Sequence, residues 1–161
     1  MDIRPIPGEV FKQFTARDVV SRWDVLELYR QASAFNAAAF LEELERMPFP
    51  IRALQVDGGS EFQAEFEEAC RRKGLALYVL PPRSPKLNGH VERANRTHAE
   101  EFYDLYEGEL ALQAMRTALR AHEDEYNHVR PHQALDYRTP WAALQQRTTA
   151  PRPDGVPALG P

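Results

Sequence analysis

Cysteine is almost absent from this sequence of 161 residues, in which Cys70 is the only one. One cysteine cannot form an internal disulfide, and the five histidines show no paired spacing with cysteine of the kind that binds zinc. Cys70 shares a helical face with Phe62, Phe66 and Ala69, which predicts a buried side chain that acts as a small hydrophobe. A chain of this length can bury a sufficient core without disulfides or metal.

Long apolar runs are also absent. No stretch approaches the roughly 20 apolar residues that a membrane-spanning helix needs, and no signal peptide opens the chain. Hydrophobic residues make up 43% of the sequence and aromatic residues 10%, which is typical of soluble globular proteins. The sequence therefore predicts a cytoplasmic protein without a membrane partner.

The chain lacks an overall excess of positive charge, since 20 basic and 24 acidic residues give a net charge of −4. Its distribution is uneven. Residues 71–98 contain seven Lys or Arg and one acid, Glu92, for a local charge of +6, while the rest of the chain carries −10. A basic stretch with a single acid is typical of a site that binds phosphate, and the alternative is a solvated charged surface.

Two acids stand at informative positions. Asp57 ends the apolar run 51–56, which predicts a buried strand, and the two glycines that follow allow a close approach by another backbone. Glu92 comes after 34 further residues, in the first turn of a predicted helix. Acids at a strand end and a helix start can converge on a hard cation such as Mg²⁺. The alternatives are a plain turn for Asp57, and for Glu92 the helix dipole with an ion pair to Arg96.

The order of the predicted elements favours an α/β fold. Strands are predicted over 2–6, 10–20, 23–29, 51–56 and 75–80, and helices over 34–47, 60–73, 89–106 and 110–126. Three consecutive strands followed by alternation predict a mixed five-stranded sheet flanked by helices.

Prolines limit two segments. The stretch 81–86 contains three prolines and is predicted to be irregular, so that Asn88 becomes the N-cap of the next helix. Residues 148–161 contain four prolines and almost no bulky apolar side chain, which predicts a disordered tail after one domain over residues 1–147.

Several motifs occur together in a defined order, namely Phe14–Trp23, Asp57–Phe62, Ser84–Arg93 and Tyr126–Leu135, the last followed by Thr139 and Pro140. From Asp2 to about Trp141 the chain resembles the catalytic core of integrases and insertion-sequence transposases, the Asp-Asp-Glu branch of the retroviral integrase-like superfamily. The resemblance implies an RNase H-like fold, DNA as the partner, a homo-oligomer assembled on DNA, and association with the nucleoid.

The resemblance also implies the active site. Asp2, Asp57 and Glu92 would be the catalytic residues and the ligands of two Mg²⁺ or Mn²⁺ ions with substrate bound, for strand cleavage and 3′-hydroxyl strand transfer. Asp2-Ile3 matches the family's first acidic position, and Asp18, within the second-strand motif, is the alternative.

The implied DNA contacts lie on the loop and helix around Glu92, and they comprise Ser84, Lys86, Asn88, His90, Arg93 and Arg96. His90 could equally be a surface residue without a role. The closing motif is expected to be structural or to contact DNA through Tyr126, Asn127, Arg130 and His132, and Trp141 is expected to pack the tail onto the domain.

Two other functions remain open at this point. Only Met1 precedes Asp2, and the helix-turn-helix region that relatives carry is not in this sequence. The chain could therefore be a truncated, catalytically silent remnant that acts as a DNA-binding or assembly module. An RNase H-type nuclease that cuts RNA–DNA hybrids would have the same fold but would need another carboxylate set.

Overall fold

The computed structural model of the chain describes residues 1–81 and 85–149. Its strands are β1 (Asp2–Ile3), β2 (Phe11–Arg17), β3 (Asp24–Tyr29), β4 (Ala53–Val56) and β5 (Ala76–Val79). Its α-helices are α1 (Ala34–Glu43), α2 (Glu65–Arg72), α3 (Pro85–Glu101), α4 (Leu112–His128) and α5 (Pro140–Thr149). Short 3-10 turns lie at 44–46, 60–62, 103–105 and 133–135. No helix of the described ranges has the length and apolar character needed to cross a bilayer.

The first three strands form an antiparallel sheet in the order β1-β2-β3, with Lys12 opposite Tyr29 and Arg17 opposite Asp24. Side chains alternate between the two faces of the sheet. One face contributes to a core shared with α1 and α2, with the buried residues Phe14, Val25, Tyr29, Phe40, Leu41, Phe66 and Cys70. The other face packs on α4 and the end of α3 through Phe11, Leu26, Leu28, Phe102, Met115 and Leu119. The prediction that Cys70 is buried is confirmed.

Strands β4 and β5 pair in parallel, but they form a separate two-stranded sheet. The prediction of one mixed five-stranded sheet is therefore correct in its α/β class and its strand number but wrong in its connectivity. Pairing between β1 and β2 is restricted to Asp2 with Lys12 and Ile3 with Phe11, so β1 is too short to connect the sheets.

The prediction that β4 is buried is also wrong. Its residues alternate between exposed and half-buried, because only Leu54 and Val56 pack against the core under α1. An apolar run is therefore not sufficient for burial, which also requires cover on both faces of the sheet.

Helix α3 begins earlier than its prolines indicate. It starts at Pro85, because the first helical position requires no N–H donor and the ring already holds a helical φ. The predicted irregular structure of residues 85–86 is therefore wrong, and so is the prediction that Asn88 is the N-cap. Glu92 lies near the middle of the helix and not in its first turn.

Helix α5 was not predicted. It includes Trp141 and continues to Thr149, so residues 148–149 of the predicted tail are helical. The ring of Trp141 packs against Trp23, with 6.2 Å between the ring centroids, and this contact holds α5 on the domain. Residues 150–161 lie outside the described residues, and the disordered tail stays a prediction.

Candidate active site

A groove of about 700 Å³ separates the two sheets. Strands β1 and β2 form one wall and β4 forms the other, while His90, Val91 and Asn95 of α3 close one side. Asp2 and Asp57, two of the predicted catalytic acids, both line this groove. The structure thus brings together residues that are far apart in the sequence.

Asp57 follows β4 in a turn that its own carboxylate organises. Its Oδ1 atom accepts a hydrogen bond from the Gly59 N–H at 3.1 Å. A Cβ atom on Gly59 would lie 2.6 Å from Glu61 Oε2 and 3.1 Å from Asp57 Oδ1. The absence of a side chain at Gly59 therefore lets the carboxylates of Asp57 and Glu61 lie on the same side of the turn.

Glu61 is a carboxylate that the sequence reasoning missed, although it stands within the Asp57–Phe62 motif. It lines the groove with Asp2 and Asp57. Burial lowers the pKa of the Met1 amino group, and the negative charges of Asp2, Glu61 and Asp57 act in the opposite direction. These three carboxylates thus act electrostatically on one point in the groove.

Asp2 is already paired across the strand. Its Oδ1 atom lies 2.7 Å from Lys12 Nζ, and this hydrogen bond holds the pKa of the Asp2 carboxyl below its usual range. The alternative acid, Asp18, accepts hydrogen bonds from the Ser21 N–H at 2.7 Å and the Ser21 hydroxyl at 2.6 Å. Asp18 therefore stabilises the turn between β2 and β3, and it lines the same groove as Asp2.

Glu92 is exposed on α3 and does not line the groove, although its neighbours His90 and Val91 do. Among residues 1–81 and 85–149, no three His, Cys, Asp or Glu side chains are gathered as a metal site. Carboxylate oxygens are nonetheless the ligands that Mg²⁺ prefers, so Asp2, Asp57 and Glu61 suit such an ion chemically.

Positive groups lie on α3 and on the turn that packs against it. Arg93 and Arg96 are exposed cations, and His90 is exposed beside them. The Arg22 guanidinium contacts His90 Nδ1, and Arg17 donates to the His90 carbonyl at 3.4 Å. The side chains of Lys86 and Asn88, and the whole of Ser84, lie outside the described part of the chain.

Beneath this surface is a fully buried ion pair. The Asp24 carboxylate accepts hydrogen bonds from Arg17 at 2.7 and 2.6 Å and contacts His98 Nε2 at 2.9 Å. Burial alone would raise the pKa of Asp24, but the hydrogen bonds from Arg17 and His98 lower it below its ordinary value. His98 Nδ1 lies 3.1 Å from His122 Nε2, which extends the network to α4.

The closing motif is part of this buried structure. Asn127 accepts from the Asp24 N–H at 2.9 Å and donates to the Asp24 carbonyl at 2.8 Å. Tyr126 contacts Arg17, while Arg130 pairs with Glu101 and lies 5.3 Å from the Tyr126 ring centroid. His132 is buried, and burial and the charge of Arg130 lower its pKa to about 4. Of the two roles considered for this motif, these contacts favour the structural one.

Residues 73–140 match the family described as the integrase core domain. The chain is 27% identical over 123 residues to the uncharacterized 31.7 kDa protein of insertion element IS407 from Burkholderia multivorans (strain ATCC 17616 / 249). That alignment covers 75% of this chain and 44% of the relative, so the chain spans less than half of the relative's length.

Three solved structures share the fold. The simian T-cell lymphotropic virus intasome in complex with PP2A regulatory subunit B56 gamma superposes with a TM-score of 0.74 at 18% identity, covering 100% of this chain and 56% of that chain. The HTLV-2 integrase catalytic core domain in complex with magnesium gives a TM-score of 0.67 at 15% identity, covering 89% of this chain and 90% of that chain. The catalytic core domain of BIV integrase gives a TM-score of 0.65 at 20% identity, covering 92% of this chain and 93% of that chain. The chain has the RNase H-like fold of an integrase catalytic core, and its resemblance to integrases and insertion-element proteins is confirmed.

Proposed function

We propose that this chain is the catalytic core of a DNA transposase or integrase, which cleaves a DNA strand and transfers a 3′-hydroxyl end by two-metal phosphoryl transfer. The observation that carries the proposal is the joint position of Asp2 and Asp57 on one groove of an integrase-core fold. Helix α3, with its exposed cationic residues, forms the side of the same groove.

Asp2, Asp57 and Glu92 are the residues proposed to hold Mg²⁺ or Mn²⁺, and Glu61 stands beside Asp57 as a fourth carboxylate. Two such ions, when bound, would activate the attacking hydroxyl and stabilise the leaving oxygen. Gly58 leaves room beside Asp57 for a sugar-phosphate backbone, since nothing lies within 4 Å of the position where its side chain would begin. Glu92 would need to turn toward the groove that its neighbour Val91 lines.

His90, Arg93 and Arg96, with Lys86 and Asn88 at the start of α3, are the proposed DNA contacts. Exposed cations beside a groove attract phosphate and raise the rate of encounter with DNA. Assembly of several copies on DNA belongs to the same proposal. It is supported by the similarity to a chain from a viral intasome.

Metal binding gives the sharpest test. Titration with Mn²⁺ should raise the unfolding temperature of the chain, because a ligand of the folded state adds about 2.7 kcal/mol at a hundredfold excess over its Kd. Asp57→Asn and Glu92→Gln should remove this stabilisation, and Glu61→Gln shows whether the fourth carboxylate takes part. Glu65→Gln, an exposed change in the first turn of α2, is the matched control.

Strand cleavage and strand transfer on a supplied DNA duplex with Mn²⁺ then test catalysis itself. Asp57→Asn and Glu92→Gln should abolish both reactions, while Glu65→Gln retains them. Activity that survives in both carboxylate variants would overturn the proposed site.

A catalytically silent DNA-binding module is the second candidate. It is favoured by the position of Glu92 outside the groove and by the ion pair of Asp2 with Lys12 on a strand of two residues. DNA binding without any Mn²⁺-dependent rise in unfolding temperature would select this candidate over the enzyme.

A further inference from the structure

We propose that Arg22, together with His90 and Arg93, forms a binding site for one backbone phosphate of a nucleic acid, at the turn between β2 and β3. The site rests on the proposed function, because it extends the DNA surface from α3 to a second element. Arg22 lies outside the set of residues to which the motifs assigned DNA binding.

The backbone at Arg22 favours glycine over arginine. Its φ is +64°, in the left-handed region that L-residues seldom adopt. The turn holds itself without the guanidinium, since the Asp18 N–H donates to the Trp23 carbonyl at 2.9 Å and the Arg22 N–H donates to the Asp18 carbonyl at 2.9 Å. The turn would form more readily with glycine at this position. The presence of arginine therefore indicates that its long cationic side chain has a role of its own.

Positive charge collects at this point, and among the described residues no carboxylate forms an ion pair with Arg22 or Arg93. Arg22 is half-buried, and burial and then the charges of Arg17 and Arg93 lower the pKa of its guanidinium. Within the described ranges, neither Arg22 nor Arg93 has a carboxylate oxygen within 4.0 Å. The nearest buried acid in the network, Asp24, is already bound by Arg17 and His98. An external anion would complete the site.

His90 adds a directed hydrogen-bond donor. Its Nδ1 atom contacts the Arg22 guanidinium, which can only donate, so the imidazole proton lies on Nε2. The exposed Nε2–H, the planar fork of Arg22 and the charge of Arg93 together match the oxygens of a phosphate.

The site stands at one end of the groove that holds the acids. Arg17 and Asp18, which lead into the turn, line the groove together with His90. A DNA strand with its reacting phosphate near Asp2 and Asp57 would therefore carry another phosphate past Arg22 as it leaves the groove.

The test is binding of a short DNA duplex without metal, measured over a range of salt concentrations. Arg22→Gly should weaken binding on the order of tenfold and reduce the slope of log K against log salt by about 0.9, the loss of one phosphate contact. Arg22→Lys should keep the slope because it keeps the charge. Arg72→Ala is the control. Arg72 is an exposed cation on α2, and α2 packs on the face of the three-stranded sheet opposite to the end of α3.

The Arg22→Gly variant also shows whether lost binding is caused by unfolding. Glycine adopts a positive φ without strain, so Arg22→Gly should unfold at the temperature of the unaltered chain or above it. Weaker DNA binding by a variant of undiminished stability supports the phosphate site.

Failure of this site and failure of the proposed function give different results. If the unaltered chain binds DNA and Arg22→Gly binds with the same affinity and salt slope, the phosphate site is wrong and the proposed function stands. If the unaltered chain does not bind DNA, the proposed function is wrong. Inorganic pyrophosphate is then titrated while the His90 ring resonances are followed by NMR. A shift that Arg22→Gly abolishes supports an anion site, and no shift overturns it.

Discussion

The two edges of the three-stranded sheet differ in how their main-chain groups are satisfied. At the outer edge of β3, side chains from other elements bind the backbone: Asn127 binds both main-chain groups of Asp24, Glu123 accepts from the Leu26 N–H at 2.6 Å, and Arg46 and Arg116 donate to the Leu26 and Leu28 carbonyls at 2.7 Å. We call this the capped edge. It is bound by side chains along most of its length, so no further strand can add there.

The opposite edge faces the groove. Gln13 exchanges main-chain hydrogen bonds with Met1, at 2.8 Å in each direction. Main-chain groups of alternate residues point to the same side in an antiparallel strand, so those of Thr15 and Arg17 point past the end of β1. Both residues line the groove. We call this the open edge, and in the described ranges no strand pairs with it beyond β1.

The capped edge is a rigid support, and the open edge is the surface available to ligands. Exposed strand edges tend to pair with other chains, and the fold prevents such pairing on the side away from the acids. Buried ion pairs and capping side chains concentrate at the capped edge, whereas Asp2, Asp57 and Glu61 stand at the open one. The free energy of unfolding should therefore depend mainly on the capped edge, and metal or DNA binding should depend mainly on the open edge.

The largest effect is expected from Asp24→Ala. This change leaves Arg17 and His98 buried without their carboxylate, and loss of one partner of a buried pair costs about 3–5 kcal/mol of unfolding free energy. Urea unfolding measures it, with Asp124→Ala on the exposed side of α4 as the control. If Asp24→Ala lowers the unfolding free energy by no more than Asp124→Ala does, the capped edge is not the source of stability.

The same aspartate predicts a pH dependence. Its pKa is lower in the folded chain than in the unfolded chain, so its stabilisation is present above the ordinary carboxyl pKa of about 3.9. The stabilisation should be lost as the pH falls from there through the folded-state pKa. Unfolding free energies measured from pH 5 downward should therefore decline for the unaltered chain, and Asp24→Asn should decline less.

A smaller loss is expected from Asn127→Ala. The change removes the partners of the Asp24 N–H and C=O, and a buried polar group without a partner costs about 1–3 kcal/mol. Gln113→Ala, an exposed amide on the same helix, should change the unfolding free energy little. Equal unfolding free energies for the two variants would show that the capped edge does not depend on its caps.

His122 gives an effect confined to mildly acidic pH. Burial, followed by the charge of His98, lowers its pKa to about 4, whereas the unfolded ring titrates near its ordinary value of about 6.5. The unfolded chain thus binds more protons in this interval, and stability should fall as the pH drops from about 6.5 to 4. His122→Gln should flatten this part of the stability profile. A profile as steep as that of the unaltered chain would contradict the assignment.

The smallest effect is expected at the open edge. Asp2 is half-exposed and pairs with Lys12 at the surface, so Asp2→Asn should change the unfolding free energy by no more than about 1 kcal/mol. The same change should weaken Mn²⁺-dependent stabilisation. A loss of stability comparable with that of Asp24→Ala would show that the open edge is also part of the support.

The sequence predicted more about the groove than about the buried polar network. The resemblance implied that Asp2 and Asp57 share a site, and both residues line the groove. The motifs that carry this resemblance can be read directly from the sequence. The buried roles of Asp24 and Glu123 were not predicted, because polar residues are assumed to be exposed unless their distant partners are known.

The separation of the two sheets was unpredictable for a related reason. Strand formation is encoded by local residues, but pairing between strands depends on length and register across the whole chain. The early start of α3 was missed because Pro85 was interpreted only as a helix breaker, and α5, which begins at Pro140, was not predicted. Proline in the first helical turn indicates a beginning as well as an end.

The buried thiol of Cys70 gives experimental access to one half of the molecule. It is 1% exposed within the core that α1 and α2 share, beneath the sheet that carries Asp57, and burial raises its pKa. As the chain's sole cysteine, it can be alkylated only when this core opens. The rate at which a thiol reagent modifies the native protein therefore measures how often this core opens. A slower rate in the presence of Mn²⁺ or DNA would show that the ligand stabilises the part of the molecule beside the groove.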